Sequence, residues 1–166
     1  MTALKQCLSK LVLLLLAAFP LLAGGAQAQD QQPDALHITR VEPSLSRVLT
    51  FEALQQLPFV EIATTTPWTD GVQLFRGVPL ASILDLQSED RELHMRAAND
   101  YFITMPAEEV SDDYPIIAYM RNGAPMSVRD KGRYWVVYPF DQEPRFNDET
   151  HLSRSIWQLV EISIMR

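Results

Sequence analysis

The chain has 166 residues, a formal charge of −7 and a hydrophobic content of 47%. That is enough apolar material for one packed core, and too acidic a balance for a nonspecific hold on nucleic acid or anionic lipid. The single cysteine, Cys7, falls in a stretch expected to be removed, which excludes disulfides, thiolate metal ligation and a cysteine nucleophile from the mature chain.

Residues 1–28 read as a secretory signal peptide. Lys5 and Lys10 give a positive start, residues 11–22 are apolar, and Ala26-Gln27-Ala28 is a small-x-small cleavage site before Gln29. The apolar run is too short for a comfortable membrane span. Cys7 precedes that run, whereas a lipoprotein needs its cysteine after it. Cleavage leaves about 138 residues with 12 cations against 21 acids, a charge of −9. The mature protein is expected in the periplasm or secreted, without stable membrane insertion. Residues 29–49 are expected to be a tail and first strand, and residues 50–166 the main domain.

Residues 37–41 predict a strand that buries Leu36, Ile38 and Val41. Thr50 is an N-cap for a short helix ending before Pro58. Residues 60–66 are rich in β-branched side chains and predict a strand. Pro67-Trp68-Thr69-Asp70-Gly71 follows as a turn, tightest at Asp70-Gly71, with Trp68 exposed among polar neighbours. Residues 72–76 predict a strand that Gly77 breaks. Pro79 opens a helical turn with Leu80, Ile83, Leu84 and Leu86 on its apolar stripe.

Residues 93–96 and 101–105 predict paired strands around Ala98-Asn99-Asp100. Residues 106–110 suit one helical turn and 116–120 an apolar strand. Asn122-Gly123 is a hairpin signal, leading into an edge strand over 125–128 because of Pro125. Residues 134–138 predict a buried strand stopped by Pro139; 141–150 a loop; 153–157 a short turn or helix. Val160, Ile162 and Ile164 alternate as a closing strand. The expected class is a single α+β domain with more strand than helix.

No metal site or catalytic residue is assigned. His37, His94 and His151 lack metal-ligand spacing, and neither a nucleophile elbow nor a phosphate loop occurs. Arg129-Asp130-Lys131-Gly132-Arg133 is the densest cationic segment. In so acidic a chain it is either a solvated turn, neutralised through Asp130, or a contact for an anion.

Five segments, in order, resemble the molybdopterin-binding domain of the sulfite oxidase type. They are Phe75-Arg76-Gly77-Val78-Pro79-Leu80, Ala98-Asn99-Asp100-Tyr101, the run from Ile117 to Met126 around Asn122-Gly123, the run from Gly132 to Pro139, and the run from Arg154 to Ile162. The resemblance covers roughly residues 50–166 and implies that family's mixed fold. It also implies a cysteine on the molybdenum, which the mature chain lacks. Trp135 and Trp157 stand near two positions where the family carries cations, as core filling or as walls of an aromatic pocket. The resemblance places the segments of Arg121 and Arg154 on one side of the fold with the basic loop. The candidate ligand-binding residues are therefore Trp68, Asn99, Arg121, Arg129, Lys131, Arg133 and Arg154.

The reading is an exported binding or accessory module without redox chemistry. It takes a small-molecule or anionic ligand, or docks on a membrane-bound sensor or enzyme. The alternative is an oxidoreductase that holds molybdopterin without a cysteine ligand; a third reading is a purely structural subunit. No cofactor is expected, molybdopterin entering by resemblance only, and no nucleic acid.

Overall fold

Alternating apolar side chains organise residues 35–166, the part of the chain that this computed structural model describes; the expected signal peptide, Cys7 and the tail to residue 34 lie outside it. Among the described residues ten strands and three short helices form, so the α+β class with more strand than helix holds. Strands β1 (Ala35–Arg40), β2 (Leu45–Thr50), β5 (Glu92–Ala97), β6 (Phe102–Pro106) and β10 (Leu159–Met165) make one sheet, in the order β2-β1-β10-β5-β6. Strands β3 (Val60–Thr66), β4 (Thr69–Pro79), β7 (Ile116–Arg121) and β8 (Ala124–Pro125) make the second, and β9 (Trp135–Val137) also pairs with β7. β1 runs parallel to β10; the other pairs are antiparallel. Among the described residues no helix is long and apolar enough to cross a membrane.

The main core gathers Leu36 and Ile38, Leu93 and Met95, Ile162 and Ile164 from the first sheet with Val78, Ile117, Tyr119 and Val136 from the second. The second sheet buries its other face too, through Ile62, Phe75, Ile116, Ala118, Trp135 and Val137, closed over by Met126. β9 is therefore buried at all three positions. Such a strand reads as a continuous apolar run because neither face meets water.

Helix α1 (Phe51–Gln55) starts as expected, with the Thr50 hydroxyl accepting from the Ala53 N–H at 3.2 Å. Pro79 ends β4 and precedes α2 (Leu80–Ile83) instead of lying in its first turn, and it makes no side-chain capping bond. Helix α3 (Glu149–Arg154) begins inside the expected loop, because the Asp148 carboxylate accepts from the His151 N–H at 2.9 Å. It ends before Trp157, which instead bridges to Trp135. β2 was not expected, and Val41 is exposed rather than core.

Two expectations about turns are corrected. The β3–β4 hairpin turns at Pro67-Trp68, three residues before Asp70-Gly71. The Thr66 hydroxyl bonds that of Thr69 at 2.8 Å and accepts from the Trp68 N–H at 3.2 Å, so it fixes the turn there. Gly77 does not break β4. The register shifts between Arg76 and Gly77 and the strand continues to Pro79. A Cβ at Gly77 would lie 2.3 Å from the Ile117 carbonyl oxygen, so the residue permits close approach of two backbones. Gly77→Ala must push β4 from β7 and is expected to cost about 1–3 kcal/mol, as overpacking does. A lower urea midpoint with an unchanged slope is the expected result. An unchanged midpoint would show that the strands separate freely.

Asn122-Gly123 forms its hairpin with φ of +51° and +80°, the doubly positive turn that Asn-Gly favours. The Asn122 amide also clasps β4: its Oδ1 accepts from the Leu74 N–H at 2.9 Å and its Nδ2 donates to Gln73 Oε1 at 2.8 Å. The expected strand at 125–128 shortens to β8, and a 3-10 turn takes Val128–Asp130.

One ion pair is fully enclosed. Arg40 ends β1, and its guanidinium meets the Asp90 carboxylate at 2.7 Å, each residue 6% exposed. Arg40 also donates to the Asp85 carbonyl at 2.8 Å, and Asp90 accepts from the Gln87 N–H at 2.8 Å.

Candidate functional site

The basic segment folds on itself. The N–H groups of Asp130, Lys131 and Gly132 donate to the carbonyls of Ser127, Val128 and Ser127, at 3.0, 3.3 and 2.7 Å. Lys131 takes the left-handed conformation that ends the 3-10 turn. Gly132 is needed because a Cβ there would lie 2.1 Å from the Met126 carbonyl oxygen.

Asp130 does not neutralise its neighbours. Its carboxylate accepts from Ser127 Oγ at 2.8 Å and lies 3.9 Å from the Arg121 guanidinium. Among the described residues, the exposed Arg129 side chain has no ion pair or hydrogen bond, and neither has the Lys131 ammonium. By contrast Arg76, Arg96, Arg145, Arg154 and Arg166 each meet a carboxylate. Arg96, for instance, holds the Glu161 carboxyl below its ordinary value by hydrogen bonding, against a smaller opposing effect of burial.

Indoles lie beside the loop. The Lys131 ammonium stands 4.6 Å over the Trp157 ring. Trp157 packs on Trp68 at 5.3 Å and on Trp135 at 6.2 Å between ring centroids, and Trp68 lies 6.0 Å from Trp135. These are the three tryptophans of the chain. Trp135 is fully buried, edge-on to Phe75, and its indole N–H donates to the Ser155 carbonyl at 3.1 Å. Trp68 and Trp157 are half-buried. Trp68 was expected to be exposed; the tight turn at Thr66 folds it back over the second core instead.

Gln158 joins this loop to another. It sits at φ +54°. Its N–H donates to the Lys131 carbonyl at 3.4 Å and its side-chain amide to the Val128 carbonyl at 2.9 Å, while its own carbonyl accepts from the Ala98 N–H at 2.9 Å. The 97–101 turn and the basic loop thus share one anchor. No sequence signal marks it, since a glutamine in left-handed backbone follows no motif.

The seven sequence candidates separate accordingly. Trp68 and Lys131 both meet Trp157, Arg121 lies beside Asp130, and Arg129 stands on the same loop between Val128 and Asp130. Asn99 lies in the turn that Gln158 anchors, with its Oδ1 accepting from the Tyr101 N–H at 3.2 Å. Arg133 packs its guanidinium 5.0 Å over Phe51 of α1. The neighbouring Glu52 carboxyl is lowered, first by its own backbone N–H, then by the Thr50 hydroxyl, with Arg133 a smaller cause. Arg154, on α3, pairs with Glu109. It lies near Tyr138, whose hydroxyl donates to Met105 Sδ at 3.2 Å and whose ionisation burial pushes up.

No protein-family model and no curated protein matches this sequence. Among solved structures, the chain is similar to the crystal structure of the sulfane dehydrogenase SoxCD from Paracoccus pantotrophus. The TM-score is 0.59 and the identity 20%, over 81% of this chain and 38% of that one. The chain therefore spans well under half of that neighbour. The likeness shows the fold alone. That fold agrees with the one expected from the resemblance to the sulfite oxidase type.

The donor set of residues 35–166 does not fit a thiolate-held molybdenum cofactor. Those residues contain no cysteine. Among the described residues no three or more of His, Cys, Asp and Glu are placed to hold a metal ion. Arg121 and Arg154 are committed to Asp130 and Glu109, and the Trp135 indole N–H is committed to Ser155. No chemical step is assigned through such a group.

Proposed function

We propose that the protein is an exported binding or accessory module that uses a sulfite-oxidase-like fold without redox chemistry and takes an anionic ligand at Arg129 and Lys131. One observation carries this reading. Among the described residues of this acidic chain, these two neighbouring cations have no carboxylate partner, and the acid between them is turned onto Ser127 and Arg121. A cationic spot on an acidic body focuses its field outward and draws an anion to that spot. The fixed loop beneath keeps both side chains on one short segment. Docking on a membrane-bound sensor or enzyme is the accessory half of the proposal, with the ligand-bearing surface as the part read by that partner.

The test has two parts. Protein purified from its own compartment is analysed for metal and pterin; stoichiometric molybdenum or pterin overturns the redox-free reading. Lys131 is the only lysine beyond residue 10, so acylation by an amine reagent, followed by peptide mass spectrometry, reports directly on the loop. Small anions are expected to slow acylation of Lys131 and raise the melting temperature. Arg129→Gln is expected to weaken that protection by about tenfold, the scale of one charge-assisted hydrogen bond. Protection unchanged in this variant would remove Arg129 from the site.

A further inference from the structure

We infer that β2 is a docking edge for a second copy of this chain, through which two protomers pair β2 against β2 in antiparallel and join their first sheets. The inference stands apart from the anion site and does not depend on it.

A sheet edge is a row of unused N–H and C=O groups that pairs with any strand offered to it, and folds ordinarily blunt it. Three of the four sheet edges here are blunted. Along β3, the Asp141 carboxylate accepts from the Thr65 N–H at 2.7 Å, and the Gln142 side-chain amide donates to the Ala63 carbonyl at 3.3 Å. At the far side of the second sheet, β8 is two residues long and ends in Pro125. Next to it, Trp157 bridges to Trp135 and the Val136 N–H donates to the Ile156 carbonyl at 2.9 Å. β6 ends in Pro106 and has α3 beside it, with the Tyr101 hydroxyl donating to the Ser153 carbonyl at 3.4 Å.

β2 is the exception. Among the described residues, nothing outside its ladder with β1 hydrogen-bonds to the backbone of residues 45–49. The strand has no proline, lysine or carboxylate, and its register on β1 runs without a bulge. Its one cation, Arg47, donates to the Ile83 carbonyl at 3.2 Å. Its apolar side chains are incompletely covered: Val48 is 54% exposed, and Leu45 and Leu49 are only half-buried against the main core.

The pattern of β2 complements itself. Ser46 and Val48 stand on the outer face beside Thr39 and His37, while Leu45, Arg47 and Leu49 lie on the core side beside Arg40, Ile38 and Leu36. A two-fold axis through the joined sheet keeps both core sides together, so one residue must face its own counterpart. Two registers leave most of β2 paired. Centring on Arg47 sets two like charges directly opposite, which is unfavourable. Centring on Val48 sets Val48 on its counterpart, Ser46 on Thr50, and the aliphatic stem of Arg47 over Leu49. With no carboxylate in the strand, two acidic chains meet there without acid against acid. An edge of 6 residues is small beside a standard interface, so the dimer is weak and reversible.

Sedimentation velocity of the mature protein over a range of concentrations is expected to show a monomer–dimer equilibrium in the micromolar range. Val48→Lys sets two ammonium groups side by side and is expected to weaken dimerisation by about tenfold. Val72→Lys, at a residue 64% exposed on β4, is expected to leave it unchanged. Residues 35–166 contain no cysteine, so Val48→Cys gives the mature protein a lone thiol. Under an added oxidant it is expected to form a covalent dimer, because facing residues of antiparallel strands meet the spacing a disulfide needs. Ser46→Cys, which faces Thr50 instead, is expected not to link. A monomer at every concentration overturns the inference and leaves the open edge to a strand of another protein. A dimer that Val48→Lys leaves intact, or one in which Ser46→Cys links as readily as Val48→Cys, overturns it too. The unaltered chain and the cysteine variants decide the matter even where Val48→Lys fails to fold.

Discussion

Replacing Arg40 by leucine is expected to remove about 3–5 kcal/mol of folding stability, the range for breaking a buried ion pair by deleting one partner. The cost lies less in the lost attraction than in what is left behind. Asp90 has no exposed side-chain surface, and its second oxygen, Oδ1, has no hydrogen-bond partner, with the Arg166 guanidinium 3.8 Å away. Without Arg40 the Asp90 charge keeps one backbone N–H, from Gln87, and that distant cation. The same substitution releases the carbonyl of Asp85, so the whole 85–90 segment loosens from β1. A second change separates the two causes. Arg40→Met combined with Asp90→Leu replaces the pair by apolar groups and is expected to recover most of the loss. Urea unfolding of both variants reads this directly. A double variant as unstable as the single one would mean that the segment is held by shape rather than by charge.

Trp135→Ala is the second large effect, at about 3–5 kcal/mol, because it empties a site for the largest side chain in a closed core. The indole touches Phe75, Trp68 and Trp157 and carries the bond to the Ser155 carbonyl. Trp135→Phe keeps much of the volume but leaves that carbonyl unpaired, at about 1–3 kcal/mol. The order wild type, phenylalanine, alanine in unfolding midpoint is the expected result. Since all three tryptophans share one cluster, the emission of Trp68 and Trp157 is expected to move to the red in the alanine variant even under native conditions. An unmoved spectrum would show that the remaining two indoles hold each other without the third.

How much of this was readable beforehand depends on the kind of signal. β7, β10 and the Asn122-Gly123 turn were legible because hydrophobic periodicity and a positive-φ dipeptide are local properties. β2 was not, since an edge strand with exposed residues such as Val48 shows no clean alternation. Gly77 was read as a strand end because its reason for being glycine sits on Ile117, far away in sequence. The 141–150 stretch hid the start of α3 because its polar residues serve as caps rather than as a face. The basic loop stood out by composition; there Lys131 and Trp68 both meet Trp157, and Arg121 lies 3.9 Å from Asp130. Arg133 and Arg154 follow partners that no spacing rule reveals, Phe51 and Glu109. Gln158 and the buried Arg40–Asp90 pair were illegible for the same reason: each is defined by groups brought from distant segments.

The placement of β1 between β2 and β10 sets the timing of folding. Its neighbour on one side is available at once, through the short connection to β2. Its neighbour on the other is β10; the hydroxyls of Thr39 and Ser163 meet at 3.0 Å across 124 positions of sequence. The whole span from β1 to β10 must therefore be present before β1 gains its parallel partner, and before β5 gains the strand that links it to β1. Closing so long a loop is paid for late and slowly. The first sheet is therefore expected to be complete only once β10 docks between β1 and β5, after the local hairpins can form.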